Sequence, residues 1–193
     1  WLAMTAFIHT VMVQRRRGMF RMWNLILIIV AFSLAQMGMF LNRGGPVPSV
    51  HSFAQSAMGW TFLVFMVVTL FGTLGILFWR SGTLKSREKV ESLVSRESAF
   101  LLNNILLLAI AFVTLWGTTF PLISEVFRGE TVTVGAPFYN RVNGPLILAL
   151  IFLMGLGPML PWRRTTKWQL FVMLRFPVGA GALVALILGS IWV

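Results

Sequence analysis

The sequence contains no cysteine, so it forms no disulfide, carries no Cys-x-x-Cys redox pair and cannot hold a haem through thioethers of its own. Charge is scarce: 11% of the 193 residues are charged, where a soluble domain carries about 25%. Five residues are acidic and two are histidine. That leaves little material for acid–base or metal chemistry. There is no Ser/His/Asp set, no Gly-rich phosphate loop and no cluster at metal-ligand spacing. Glu125 and Glu130 stand five apart with no partner histidine and make no catalytic dyad. No basic stretch precedes the first apolar run, so no cleavable leader is expected there.

Apolar residues, by contrast, make up 58% of the chain. Runs of about eighteen or more recur, which is the signature of membrane spans. Away from water the backbone must satisfy its own hydrogen bonds, so each run is expected to be a helix. The expected fold is all-α: a single-domain polytopic transmembrane helical bundle over residues 1–193, with about six spans and small outer loops. The spans are Trp1–Val13, Trp23–Leu41, Met58–Trp79, Ser98–Thr118, Gly144–Trp162 and Phe176–Val193. As a helix the first would be about 20 Å long, short of the roughly 30 Å hydrocarbon core. The last ends without a polar tail. Both therefore read as truncated, and the whole as a fragment of a longer polytopic protein.

The net charge of +11 sits between the spans, which points to the lipid bilayer and not to nucleic acid. Loops after spans one, three and five hold 13 of the 16 Lys and Arg. The positive-inside rule assigns those loops to the cytoplasm and the other two to the outer face. Trp23, Trp60, Trp79 and Trp162 fall near span ends, where indole rings favour the interface. In the second outer loop, Thr131-Val132-Thr133-Val134 alternates like one short strand.

The two histidines carry the chemistry. His9 lies inside the first span, six residues before Arg15 and so about 9 Å along the helix from it. An ionisable group within a span is a functional candidate by default, and a neutral imidazole is a form that ligates haem iron. Thr5, one turn earlier, stands where a hydroxyl can accept the other ring proton and fix the tautomer. Equally, His9 reads as a buried histidine bonded to a neighbouring helix. His51 follows Pro46 and Pro48 in an outer loop. Ser49 can cap a short helix, and Val50, Phe53, Ala54 and Ala57 form one apolar face on the membrane surface. His51 reads as a ligand on that face or as a solvated loop histidine. Arg43, in the same loop, suits a bidentate contact to an acidic group such as a haem propionate, or an anchor at a helix end. Asn103 and Asn104 lie inside span four as interhelical hydrogen-bonders. Glu97 complements the helix macrodipole in that span's first turn.

Depth separates the histidines. With His9 about 9 Å from the inner edge of a roughly 30 Å core, the outer edge is about 20 Å away. Within one subunit they cannot ligate one iron. If both bind iron there are two sites, each needing a partner from elsewhere, since no third histidine exists here.

The chain resembles the CcmF family, the large membrane component of the cytochrome c haem lyase of bacterial system I maturation. The matching residues are Trp1-Leu2, Thr5-Ala6-Phe7-Ile8-His9-Thr10, Phe40-Leu41 with Arg43, Ser49-Val50-His51-Ser52-Phe53-Ala54, Ser95 to Asn104, Trp116-Gly117-Thr118 and Gly135 to Asn140. The similarity covers essentially the whole chain and departs from the family at Gly45-Pro46-Val47-Pro48. It implies that His9 ligates a haem b inside the membrane, with a second ligand on a later span. His51 would be one of two outer histidines that flank a tryptophan-rich segment and receive haem. The implied partners are the haem chaperone CcmE, apocytochrome c and CcmH-type apocytochrome-handling subunits. The implied location is the bacterial inner membrane, with the His51 loop in the periplasm. Haem would pass to the Cys-x-x-Cys-His site of the apocytochrome, whose thiols form the thioether bonds. The inner haem would supply electrons that keep the transferred iron reduced.

Two further readings stand beside this one. In the first, the chain is part of a transporter or channel with His9 as a proton relay, since intramembrane histidine serves such relays. In the second, it is a scaffold for partner helices, using small-residue faces such as Gly179–Ala182.

Overall fold

Every long apolar run folds as a helix, as a backbone removed from water requires. The structure is a computed structural model that describes residues 1–44, 58–86 and 90–191. Its helices are α1 (Leu2–Arg17), α2 (Arg21–Gly44), α3 (Met58–Trp79), α4 (Arg96–Arg128), α5 (Ala136–Leu156) and α6 (Lys167–Ile191), with 3-10 turns at Ser81–Leu84 and Gly157–Met159. Five are long and apolar enough to cross a membrane; α1, at 16 residues, is the exception. The described residues contain no strand, and Thr131–Val134 is an unpaired connection.

Three helices extend beyond the expected ends of their spans, and each contains a proline. Span four was expected to end at Thr118, but α4 continues to Arg128 through Pro121. Span five was expected to start at Gly144, but α5 starts at Ala136 and contains Pro145. Span six was expected to start at Phe176, but α6 starts at Lys167 and contains Pro177. Proline is a sound helix breaker in water. In a membrane helix it is tolerated because threonine hydroxyls and neighbouring helices take up freed backbone groups. Before Pro121, Thr118 and Thr119 donate to the carbonyls of Thr114 and Leu115, each at 2.8 Å.

Local chemistry sets the ends. Gly18 closes α1 in the left-handed region at φ 66°, which glycine adopts without a Cβ penalty, and its N–H donates to Gln14 O at 2.8 Å. Ser95 caps α4, its hydroxyl accepting the Ser98 N–H at 3.3 Å. Helix α1 packs against α2 and α4, α4 against α5, and α2 against α3. The small core sits where α1, α2 and α4 meet, built from Ala6, Leu27 and Leu107 with Trp23 against it. Trp23, in the first turn of α2, is partly buried against this core and also lines a surface hollow with Leu84 and Lys85.

Helices alternate direction, so the ends of α1, α3 and α5 gather. The Arg17 guanidinium meets Glu91 at 2.9 Å, and the Arg163 and Arg164 guanidiniums lie 3.8 Å from the same carboxylate. Leu84 and Lys85 share a surface hollow with Met19 and Phe20. The three basic loops thus occupy one end of the bundle, as their charge predicts.

Candidate functional site

Helices α1, α4 and α5 enclose a cavity of about 370 Å³. Leu2, Ala99, Phe100, Leu107, Leu150, Leu153 and Met154 make its wall mostly apolar. The polar side chains facing it are Thr5 and His9 from α1 and Arg96 and Asn103 from α4. A mostly apolar pocket with a few convergent polar groups is the ordinary form of a small-molecule or cofactor site.

His9 stands in this wall, half-buried. Its Nδ1 lies 2.7 Å from Asn103 Nδ2, and its ring meets Phe100 with centroids 5.5 Å apart at 43°. Phe100 and Asn103 are three residues apart on α4, so one helix face grips the imidazole from two sides. The remaining ring nitrogen, Nε2, is the one left for an occupant. The interhelical role read for Asn103 is realised here, on His9 itself. Thr5 does not take the part expected of it. Its hydroxyl donates to the Trp1 carbonyl one turn back at 3.1 Å, as threonines in helices commonly do.

The end of the cavity nearest the basic loops is held by Arg96. Its Nε donates to Leu160 O at 2.8 Å, and its other guanidinium nitrogens include one donating to Pro158 O. Its backbone N–H donates to Pro161 O at 3.0 Å. The guanidinium also stacks over Trp162 at 5.3 Å, with Arg16 on the same ring at 5.8 Å. Trp162 therefore sits between two cations and beside Phe100, 6.4 Å from its ring. These contacts fix the carbonyl-rich turn after α5 against the start of α4.

Beneath lies the most polar contact of the fold. Glu97 is 2% exposed. Its carboxylate forms an ion pair with Arg17, whose Nε lies 3.1 Å away, and its two oxygens accept the Arg163 backbone N–H at 3.1 and 3.0 Å. Arg163 holds a left-handed φ of 72°, unusual for a residue with a side chain, and this carboxylate secures it there. Glu97 was read as a first-turn charge serving its own helix. It does stand in that turn, but its partners come from α1 and from the turn after α5.

Arg43 is exposed in the last turn of α2, where a cation complements the free carbonyls. It does not line the His9 cavity. His51 lies outside the described residues. Arg96, Phe100 and Trp162 were not singled out as site residues. The signal for Arg96 and Phe100 was present in the Ser95 to Asn104 block, while Trp162 was read only as an indole at a span end.

No family model matches the chain. It is 38% identical over 190 residues to the cytochrome c-type biogenesis protein CcmF of Haemophilus influenzae, covering 98% of this chain and 28% of that protein. It is 35% identical over 193 residues to the cytochrome c-type biogenesis protein ccl1 of Rhodobacter capsulatus, covering 100% of this chain and 29% of that one. To CcmF of Escherichia coli K12 it is 39% identical over 165 residues, covering 85% and 25%. The solved structure of a cytochrome c haem lyase CcmF superimposes with a TM-score of 0.65 at 32% identity, over 100% of this chain and 26% of that one. The chain thus spans between a quarter and a third of the length of these relatives.

Proposed function

This chain belongs to the CcmF family of cytochrome c-type biogenesis proteins, and from that premise we propose that it forms part of a haem lyase membrane subunit in which His9 ligates a b-type haem. The supporting observation is the His9 cavity. One imidazole, held at Nδ1 by Asn103, faces a mostly apolar space between three helices. With its Nε2 unprotonated, His9 would hold the iron of a haem there, and the leucine and phenylalanine wall would suit the apolar macrocycle. When bound, the haem would supply one-electron redox chemistry. The chain's own residues would hold His9 in register, through Asn103 and Phe100, and keep water out. The second axial ligand would come from a part of the protein beyond these residues.

His51 is assigned the second role, that of an outer-face ligand to haem in transit from CcmE to the Cys-x-x-Cys-His site of apocytochrome c, with CcmH-type subunits presenting the apocytochrome. Arg43, at the outer end of α2, would meet a propionate there. The protein would lie in the bacterial inner membrane with the His51 loop in the periplasm. The relatives named above are cytochrome c-type biogenesis proteins, which favours this reading over a transporter or channel with His9 as a proton relay.

Two substitutions in the full-length protein test this division. His9→Ala should abolish the stable Soret band of the purified protein; an intact band would remove His9 from the ligand set. His51→Ala should leave that band in place and lower the yield of c-type cytochromes in cells at least tenfold. Wild-type yield would exclude His51 from the transfer path.

A further inference from the structure

We propose that Asn103 is a positioning residue whose side-chain amide sets which nitrogen of His9 is open, by turning between two orientations. This rests on the reading of His9 as a haem ligand. The amide is almost fully buried, 6% exposed, and contacts His9 across the α1–α4 interface at 2.7 Å. As placed, its nitrogen faces Nδ1 and donates to it. A neutral imidazole then carries its proton on Nε2, and that nitrogen offers a donor to the cavity and no lone pair to a metal. His9 in this state is closed to iron.

A half-turn about the Asn103 Cβ–Cγ bond exchanges oxygen and nitrogen at the same place. The carbonyl oxygen then faces the ring and accepts a hydrogen bond from Nδ1–H, and the Nε2 lone pair opens to the cavity. Metal-bound histidines carry this kind of acceptor on their other nitrogen, which fixes the tautomer and raises ligand basicity. Asparagine serves both states with one side chain of unchanged shape. Aspartate could only accept and would hold the ligand tautomer at all times; leucine could do neither. Among the described residues the ring makes no hydrogen bond to Thr5, whose hydroxyl donates to the Trp1 carbonyl. Phe100 limits tilting of the ring, so the choice falls on the proton and not on the position of the imidazole.

The test uses full-length protein in detergent, as wild type, Asn103→Asp, Asn103→Leu and His9→Ala. Haem content and reduction potential are measured on the loaded protein. Nitrogen-15 shifts of the histidine rings are measured on protein prepared without haem. Asn103→Asp should keep its haem, lower the reduction potential and move the His9 proton to Nδ1 in the haem-free protein. Asn103→Leu should weaken haem binding about 10- to 100-fold and raise the potential of what remains bound. The proposal is overturned if both variants keep wild-type potential and ring shifts while His9→Ala loses its haem. If His9→Ala retains haem, the ligand assignment itself fails, and the nitrogen shifts still decide whether Asn103 selects the tautomer. Should the leucine variant misfold, the nearly isosteric aspartate decides alone.

Discussion

Burial changes what a single side chain does, and Glu97 is the sharpest case. Its sequence position predicts a modest macrodipole effect, of roughly 0.3–1 kcal/mol. Enclosed as it is, with Arg17 and the Arg163 N–H as partners, it ties three segments together. Removing one member of a buried pair costs about 3–5 kcal/mol, because the other charge is left unmatched. Arg17 keeps Glu91 at 2.9 Å, so Glu97→Ala should fall near the lower end, about 3 kcal/mol. Glu97→Gln keeps an oxygen for the Arg163 N–H and should lose less. Thermal unfolding of the detergent-solubilised full-length protein measures both, and equal melting temperatures for all three would refute the staple. The charge of Glu97 was legible in the sequence; its enclosure was not, since the Arg163 N–H comes from 66 residues away. The Thr5 misreading has the same root: its hydroxyl was expected to accept the ring proton, and it is oriented instead by its own donation to the carbonyl one turn behind it.

For the helices, apolar length was the reliable signal and punctuation was not. Every apolar run was recovered as a helix, and the core of each span lies where expected. The ends were missed because residues 119–143 and 163–175, with their scattered polar and charged side chains, read as loops, and α4, α5 and α6 run on into them. The longer helices have a consequence for packing. With α5 beginning at Ala136, Tyr139 lies on it and presses onto Gly117 of α4. A Cβ built on Gly117 would come within 2.5 Å of the Tyr139 hydroxyl and 2.8 Å of Cζ. The two residues belong to the Trp116-Gly117-Thr118 and Gly135 to Asn140 blocks, which are far apart in sequence and adjacent in space. One helix turn away, Asn143 Nδ2 donates to the Thr114 hydroxyl at 3.3 Å, so the α4–α5 contact is both close and hydrogen-bonded. Gly117→Ala should cost about 1–3 kcal/mol through overpacking. In a double-mutant cycle with Tyr139→Ala the combined loss should be smaller than the sum of the two, and strict additivity would show that the ring can move aside freely.

At the scale of the whole molecule, the proposed division between a resident site and a transfer face rests on the direction of the helices. His9 belongs to the half of the bundle that carries the basic loops, two turns from Arg15. The α2 end that carries Arg43 meets α3 near Trp60, whose ring is 6.3 Å from Phe40. Asn24 contacts Gln14 near the basic end, and the 19 residues from there to Arg43 rise about 28 Å. That is nearly the hydrocarbon thickness, so an electron carrier at His9 and a haem-receiving surface beyond Arg43 would lie near opposite leaflets. The chain's lack of cysteine makes sidedness directly measurable. Gly82 stands exposed at the basic end with open space around it, and Thr131 stands exposed between α4 and α5 at the other. In full-length protein whose other cysteines have been replaced, Thr131→Cys should react with a membrane-impermeant maleimide that reaches only the periplasm. Gly82→Cys should react only once the inner membrane is permeabilised. Labelling of both from the same side would undo the alternation of the helices, and with it the assignment of the two histidines to different faces; labelling with the sides exchanged would keep the fold and reverse the direction in which haem and electrons are handled.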